Sequence, residues 1–350
     1  MENREYNITL EGVITLLSPL SHIGESKGPD SLLIRGKGFN PFTNKIVEYF
    51  RYNGNAFRGM WRDCGSLYLF RKLGNPKMDL ATLHLFTSGG AIVGPQAVDL
   101  ERAKRIRAFF PLYSIFGGSA KSQTLEGKMN IGFGVPLVAE TQGIIPERFC
   151  SEGAPPWRLL TEEIYLTRQD DSKKMHFKKY LNEEQNEEQA AIETEPNKQI
   201  GDGLAEPEST EIAVEKSEQE KSKKKNGPAQ QMRVMIEAMC AGTKMYHRID
   251  LRDMTELELG SFVSCLDCWS EMPYIGGKAG VGFGLCSAEY EYWDNGEPKP
   301  FIKISQNCVK QSELASNAKK AYDKFLLDLY SKYIEENTKN LAGMLTAAKI

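Results

Sequence analysis

No stretch of 18 or more apolar residues occurs in this 350-residue chain, so it offers no helix that would span a bilayer. Its opening, MENREYNITL, is polar and lacks a signal-peptide core. There are four histidines (His22, His84, His176, His247), and no two stand at the spacing of a zinc-binding helix. The cysteines number seven, an odd count scattered along a long chain, which argues against a disulfide scaffold and for a reducing cytoplasm. The single C-x-x-C, Cys265 to Cys268, is half a zinc site that Cys240 or His247 would have to complete. Its apolar helical surroundings favour buried core thiols instead. A Walker loop is missing too. The glycine-rich GGKAGVGFG (276–284) has no Ser or Thr after a suitable Lys, and LCSAEYEYW after it alternates like a strand rather than opening a helix.

What the chain does have is positive charge with one detachable acidic segment. The formal net charge is −3, but residues 181–220 hold thirteen Asp/Glu against two Lys, which leaves +8 on the other 310 residues. A basic body of this kind points to a polyanionic partner. Residues 181–228, dense in Glu and Gln and ending near KSKKK, are too poor in apolar residues to fold. They read as a disordered acidic insertion within a domain, because strand-like sequence resumes immediately afterwards.

The basic charge concentrates between Ser21 and Arg62. Gly24, Gly28, Gly36 and Gly38 punctuate a loop ringed by Lys27, Arg35, Lys37, Lys45, Arg51, Arg58 and Arg62. These glycines are expected to take positive φ and to let the backbone approach a ligand closely. Asn53-Gly54-Asn55 is a turn signal, with Asn55 as N-cap of a helix over about 56–72. Arg58 in the first turn and Arg62 one turn later would add two guanidinium forks to free backbone N–H groups, an anion site suited to phosphate.

The rest of the chain alternates strands and helices. A strand is expected over 5–17, another near 46–52, and a helix over about 77–87. AVDLERAKRIR (97–107), with Arg105 and Arg107, reads as a helix face or an extended phosphate-binding segment. FFPLYSIFGG (109–118) is an apolar block with a sharp stop, 119–130 a surface loop or hairpin tip, and 131–139 a strand. Order is expected to decay after Trp157. Residues 231–251 read as a β-hairpin turning at Gly242-Thr243, residues 254–269 as a helix with Leu257, Phe262 and Leu266 on its apolar face, and about 312–335 as a long C-terminal helix. This pattern argues for an antiparallel α+β core.

Four candidate sites stand out. Gly276 and Gly277 would lay backbone against RNA phosphates, with Lys278 as a point charge. His22 is a phosphate contact, a structural ring, or a general base for RNA cleavage that lacks a visible partner. Asp30 sits among Lys27, Arg35 and Lys37, where a carboxylate repels phosphate unless it holds a metal or positions a 2′-hydroxyl; otherwise it is a turn residue after Pro29. Arg105 and Arg107 add basic charge.

Six segments occur in one order: SPLSHIG (18–24), GPDSLLIR (28–35), GNAFRGMWRD (54–63), FPLYSIFGGS (110–119), AGTKMYHRIDL (241–251) and YIGGKAGVGFG (274–284). Together they resemble the backbone subunit of class 1 CRISPR effector complexes, the "Cas seven" group of the repeat-associated RNA-binding (RAMP) superfamily. The resemblance implies a modified RRM/ferredoxin-like palm with an antiparallel sheet, inserted loops, a β-hairpin thumb and a long C-terminal helix. Residues 1–180 and 229–350 would form this single domain around the insertion at 181–228. It further implies a filament of copies along one guide RNA (crRNA), paired with a complementary target nucleic acid and with other effector subunits, in the cytoplasm and without a membrane. RNA contacts would come from His22, Gly24, Lys27, Arg35, Lys37, Asn55, Arg58, Arg62, Arg105, Arg107, Gly276, Gly277 and Lys278.

GNAFRGMWRD and the chain length are most like the type IV backbone subunit, which implies a non-enzymatic scaffold with no cofactor. GPDS resembles the type III loop, whose Asp cleaves target RNA with a divalent metal. By that match Asp30 would be catalytic with Mg²⁺, although Leu32 stands where that family has a recurrent Pro.

Overall fold

The computed structural model describes residues 5–78, 80–90, 100–120, 123–168, 232–294 and 296–335; the segment 181–228 lies outside them. Two compact units are present, residues 1–164 with 236–350 and residues 165–235. In the second, residues 165–168 and 232–235 are described, and the Arg233 guanidinium lies 4.0 Å over the Tyr165 ring.

The first unit is built on a β-α-β-β-α-β frame. Strand β1 (Tyr6–Leu16) leads through loops and hairpins to helix α1 (Gly54–Lys72). A short strand β8 (Met129–Ile131) follows, then β12 (Lys244–Met254), helix α5 (Glu256–Trp269) and β13 (Cys286–Asp294). The sheet order is β15-β14-β13-β1-β12-β8, with β14 (Glu297–Ser305) and β15 (Cys308–Gln311) as edge additions and the short β9 (Val135–Pro136) also pairing with β12. Within the frame the order is fourth, first, third, second, and the pairings are antiparallel. That is the ferredoxin-like arrangement. The mixed α+β expectation therefore holds, including the long C-terminal helix α6 (Glu313–Glu335).

Alternation in the sequence explains which face is buried. Leu10, Ile14 and Leu16 of β1 are fully buried on one side, as are Met245, His247 and Ile249 of β12. Against them α1 and α5 bring Phe57, Trp61, Phe262 and Trp269, whose rings meet edge to face or stacked at 5.3–6.2 Å. His247 is part of this core. Its Nε2 donates to the Gly132 carbonyl at 3.2 Å, so its Nδ1 accepts from the Tyr290 hydroxyl at 2.8 Å. Burial pushes its pKa down to about 3 and keeps the ring neutral. Helix α5 starts at a capping box, where Glu258 N–H donates to the Thr255 hydroxyl and Thr255 N–H to the Glu258 carboxylate. Gly260 lets α6 cross it at backbone contact, since a Cβ there would stand 2.1 Å from the Ala318 carbonyl.

Several expectations are corrected. Helix α1 begins at Gly54, and its N-cap is Asn53, with no side-chain cap bond; Asn55 is the second helical residue. The start shifts because Gly54 fits against the Ile131 and Gly132 carbonyls, each 2.6 Å from where a Cβ would be. The 77–87 helix is α2 (Leu80–Thr87), and the basic segment 100–109 is helical as α3 (Leu100–Phe109). The block after it is α4 (Pro111–Phe116), entirely buried and stopped by Gly117 at φ 65°. Residues 118–125 are a small hairpin of β6 (Gly118–Ala120) and β7 (Gln123–Leu125). Order persists after Trp157 as β10 (Thr161–Arg168).

The hairpin expected at 231–251 is not a ladder. Strand β11 (Met232–Met239) and β12 are joined at Gly242, but β11 belongs to a four-stranded sheet in which it lies between β10 and β3 (Asp30–Leu33), with β2 (Ile23–Lys27) beyond β3. Strands β2 and β3 form a hairpin at the end of that sheet, and β4 (Arg35–Asn40) pairs with β5 (Lys45–Phe50) as a separate ribbon.

Candidate nucleic-acid interface

The N-terminus of α1 is the meeting point of the separate sequence motifs. Tyr52 exchanges backbone hydrogen bonds with Gly134 at 2.8 and 2.9 Å, which lays residues 131–134 along the entry to the helix. Gly276 N–H donates to the Tyr52 hydroxyl at 2.8 Å, and Gly277 N–H to the Ser21 carbonyl at 2.9 Å. Both glycines are therefore held in place by their backbone N–H bonds. Gly276 has φ 77° and a Cβ would collide with the Ser21 carbonyl, while Lys278 itself takes the left-handed conformation at φ 65°. His22 sits behind this corner. Its Nε2 accepts from Asn53 N–H at 3.3 Å and its ring lies 4.4 Å from that of Tyr52. Burial lowers its pKa. With that nitrogen committed to the helix entry, the general-base reading of His22 is replaced by a positioning one.

A pocket of about 260 Å³ opens at this corner, lined by Gly54, Asn55, Arg58, Met129, Asn130 and Ile131. No acidic residue occupies the first turn of α1, so the helix end keeps its positive potential. Asn55 and Arg58 thus share one site. Arg62 does not join them. Its Nη2 donates to the Phe116 and Gly117 carbonyls at 3.2 and 3.3 Å, and Arg58 also donates to Phe116 O. Burial, then the neighbouring Arg58 charge, lowers the pKa of Arg62. Arg62 closes the C-terminal end of α4, while Arg58 divides its donors between that end and the pocket.

Arg107 is likewise a strap, donating to the Ser114 hydroxyl at 2.9 Å and the Glu126 carbonyl at 2.7 Å, whereas Arg105 is exposed. Arg35 is paired with Glu237 at 3.1 Å and lies 5.7 Å over the Trp157 ring. Lys27 and Lys37 are exposed on hairpins.

Asp30 stands at the tip of the β2–β3 hairpin. It pairs in register with Lys27 across a two-residue turn, with Gly28 at φ 60° followed by Pro29. Positive φ at the first central position and proline at the second is type II′ chemistry. Among the described residues no group of three or more His, Cys, Asp or Glu is arranged to hold a metal.

The loop glycines owe their place to packing more than to left-handed backbone. Only Gly28 of the four has positive φ. A Cβ at Gly24 would strike Ile34, at Gly36 the Arg51 side chain, and at Gly38 Ile144 and Tyr49.

Two residues at this corner, Phe133 and Asn130, escaped sequence reading as a site. Phe133 is 45% exposed with the Arg51 guanidinium 4.7 Å over its ring. Asn130, on the pocket wall, accepts from Arg252 when its amide is oriented to match its neighbours. The signal available was Gly132-Phe133-Gly134, an aromatic flanked by glycines inside a segment that otherwise reads as strand.

No family model and no curated protein matches the chain. Among solved structures, a chain of one described as "Type IV-B CRISPR Complex" matches over 81% of this chain and 90% of its own, at TM-score 0.50 and 16% identity. The two share a fold.

Proposed function

We propose that this chain is a guide-RNA-binding backbone subunit of a type IV-like CRISPR complex and has no catalytic role of its own. The observation that carries the reading is the shared fold over most of both chains, with a basic, acid-free helix entry at its centre. Guides differ in sequence, so affinity has to come from phosphate and shape rather than base edges. The α1 entry, Arg58 and the loop at Lys278 suit that task, since they offer backbone N–H groups and point charges. Copies would line up along the RNA together with other effector subunits and present it to a complementary strand. The β2–β3 hairpin, exposed along β2, is the natural thumb, and residues 181–228 an insertion dispensable for folding.

Asp30 serves in this reading as the turn residue its hairpin requires, not as a cleaving carboxylate. Purifying the protein from its native expression context and sequencing the RNA that accompanies it tests the proposal. Discrete repeat-flanked guides, several subunits to each, are expected. Heterogeneous cellular RNA would remove the CRISPR assignment, and its complete absence would remove RNA binding as well. Assembled complex incubated with Mg²⁺ and a complementary labelled RNA should leave it intact. Cuts at regular steps that vanish in Asp30→Ala would overturn the scaffold reading.

A further inference from the structure

We infer that Phe133, with Arg51 stacked on it, is a platform for an unpaired nucleobase of the bound strand; this rests on the RNA-binding reading and names the part of the interface that touches a base. A phenylalanine left 45% exposed loses hydrophobic stabilisation unless something covers it. Its backbone is fixed rather than loose: Gly132 N–H donates to the Arg248 carbonyl at 2.8 Å, and Gly134 N–H to the Tyr52 carbonyl at 2.9 Å. The ring is therefore presented from a rigid support beside the pocket of Asn55, Arg58 and Asn130.

Arg51 is the second observation. Its guanidinium lies 4.7 Å over the Phe133 ring, and its Nε is buried with no hydrogen-bond partner among the described residues. Gly36 makes room for its stem, since a Cβ there would come within 2.6 Å of Arg51 Cδ. Other arginine–aromatic pairs in this unit are built differently. Arg35 is neutralised by Glu237 and Arg148 by Glu11 and Glu291, while the ring under Arg62, Phe116, is buried. The Arg51 cation of this pair has no carboxylate partner among the described residues, and the Phe133 ring is open. An exposed aromatic face beside an unpaired guanidinium suits a single-stranded nucleic acid: the ring takes a base by stacking, and the cation takes the adjoining phosphate or extends the stack. Stacking accepts any base, as a subunit carrying variable guides requires.

The test uses the full-length protein and two fluorescent oligonucleotides of equal length and charge, one a mixed-sequence single-stranded RNA and the other with abasic sites throughout. Wild type should bind the RNA more tightly than the abasic strand. Phe133→Ala should lose about tenfold or more on the RNA, nothing on the abasic strand, and leave the salt dependence unchanged. Phe133→Trp should restore binding. Equal binding of RNA by Phe133→Ala and wild type would overturn the platform, as would an equal loss on both strands. Impaired self-association with unchanged RNA affinity would also overturn it, marking the ring as a protein contact. If wild type bound neither strand, the RNA-binding reading itself would fall.

Discussion

The face of the central sheet turned away from α1 and α5 and the strip at the N-terminus of α1 use similar residues in opposite ways. On the sheet face Glu11 is nearly buried and held by the Tyr246 hydroxyl at 2.6 Å, Trp293 Nε1–H at 3.2 Å and Arg148 at 3.0 Å. Burial alone would raise its pKa, but these donors together hold it below the usual carboxylate range. Arg148 also reaches Glu291 at 2.8 Å, Arg248 pairs with Asp250 at 2.9 Å, and Lys303 pairs with Glu289. Arg148 is sandwiched between Phe149 and Trp293, 4.5 and 4.9 Å from their centroids. A sheet face of this fold is the familiar seat of base-stacking aromatics in RRM domains. Here Arg148, Arg248 and Lys303 are held by carboxylates. The α1 strip is the reverse: among the described residues Arg51 and Lys278 have no acidic partner, and Arg58 is bonded to a carbonyl but to no acid. A count of basic residues does not tell the two regions apart, whereas a count of those without an acidic partner among the described residues does.

The comparison breaks most visibly by removing charge from the strip. Arg58→Ala with Lys278→Ala should weaken single-stranded RNA binding by about a hundredfold at low salt and flatten the salt dependence by roughly one contact's worth per residue removed. Arg248→Ala, on the sheet face, should change affinity by less than about twofold in the same titration. Arg148→Met asks the complementary question. It leaves Glu11 with one donor fewer and should cost about 2 kcal/mol in urea unfolding, with RNA affinity retained.

A pH series sharpens the account from the core. His247 has a folded pKa near 3 against an ordinary value of 6.5. Its contribution is thus fully present above pH 6.5 and is lost as pH falls toward 3, because the unfolded chain takes up a proton that the folded chain refuses. Between pH 7.5 and 5 this should remove about 2 kcal/mol, and His247→Asn should flatten that slope. Asp30→Ala is the smallest expected change: a slightly weakened β2–β3 turn and unaltered target RNA.

The frame of the fold was legible because its signals are local. Alternation located β1, apolar spacing located α5, and the turn signal at 53–55 located α1 within two residues. Pairing was not legible. Strand β11 alternates as well as β12 does, and nothing in 231–251 says that the turn at Gly242 passes the chain from one sheet to another. The site divided in the same way. His22, Asn55, Arg58, Gly276, Gly277 and Lys278 converge, as their residue types suggested. Arg62 and Arg107 carry equal charge in sequence, but backbone carbonyls distant in sequence claim them. Gly36 and Gly38 looked like ligand contacts, yet serve Arg51 and Tyr49. Phe133 was marked only by its flanking glycines, because an exposed ring and a core ring are the same letter.

Ultraviolet crosslinking of bound RNA, with the attached peptides mapped by mass spectrometry, tests the central claim most directly. Crosslinks should fall at residues 51–58, 130–134 and 276–282, with few or none at 246–252 and 289–303. A map dominated by the sheet-face peptides would contradict the account.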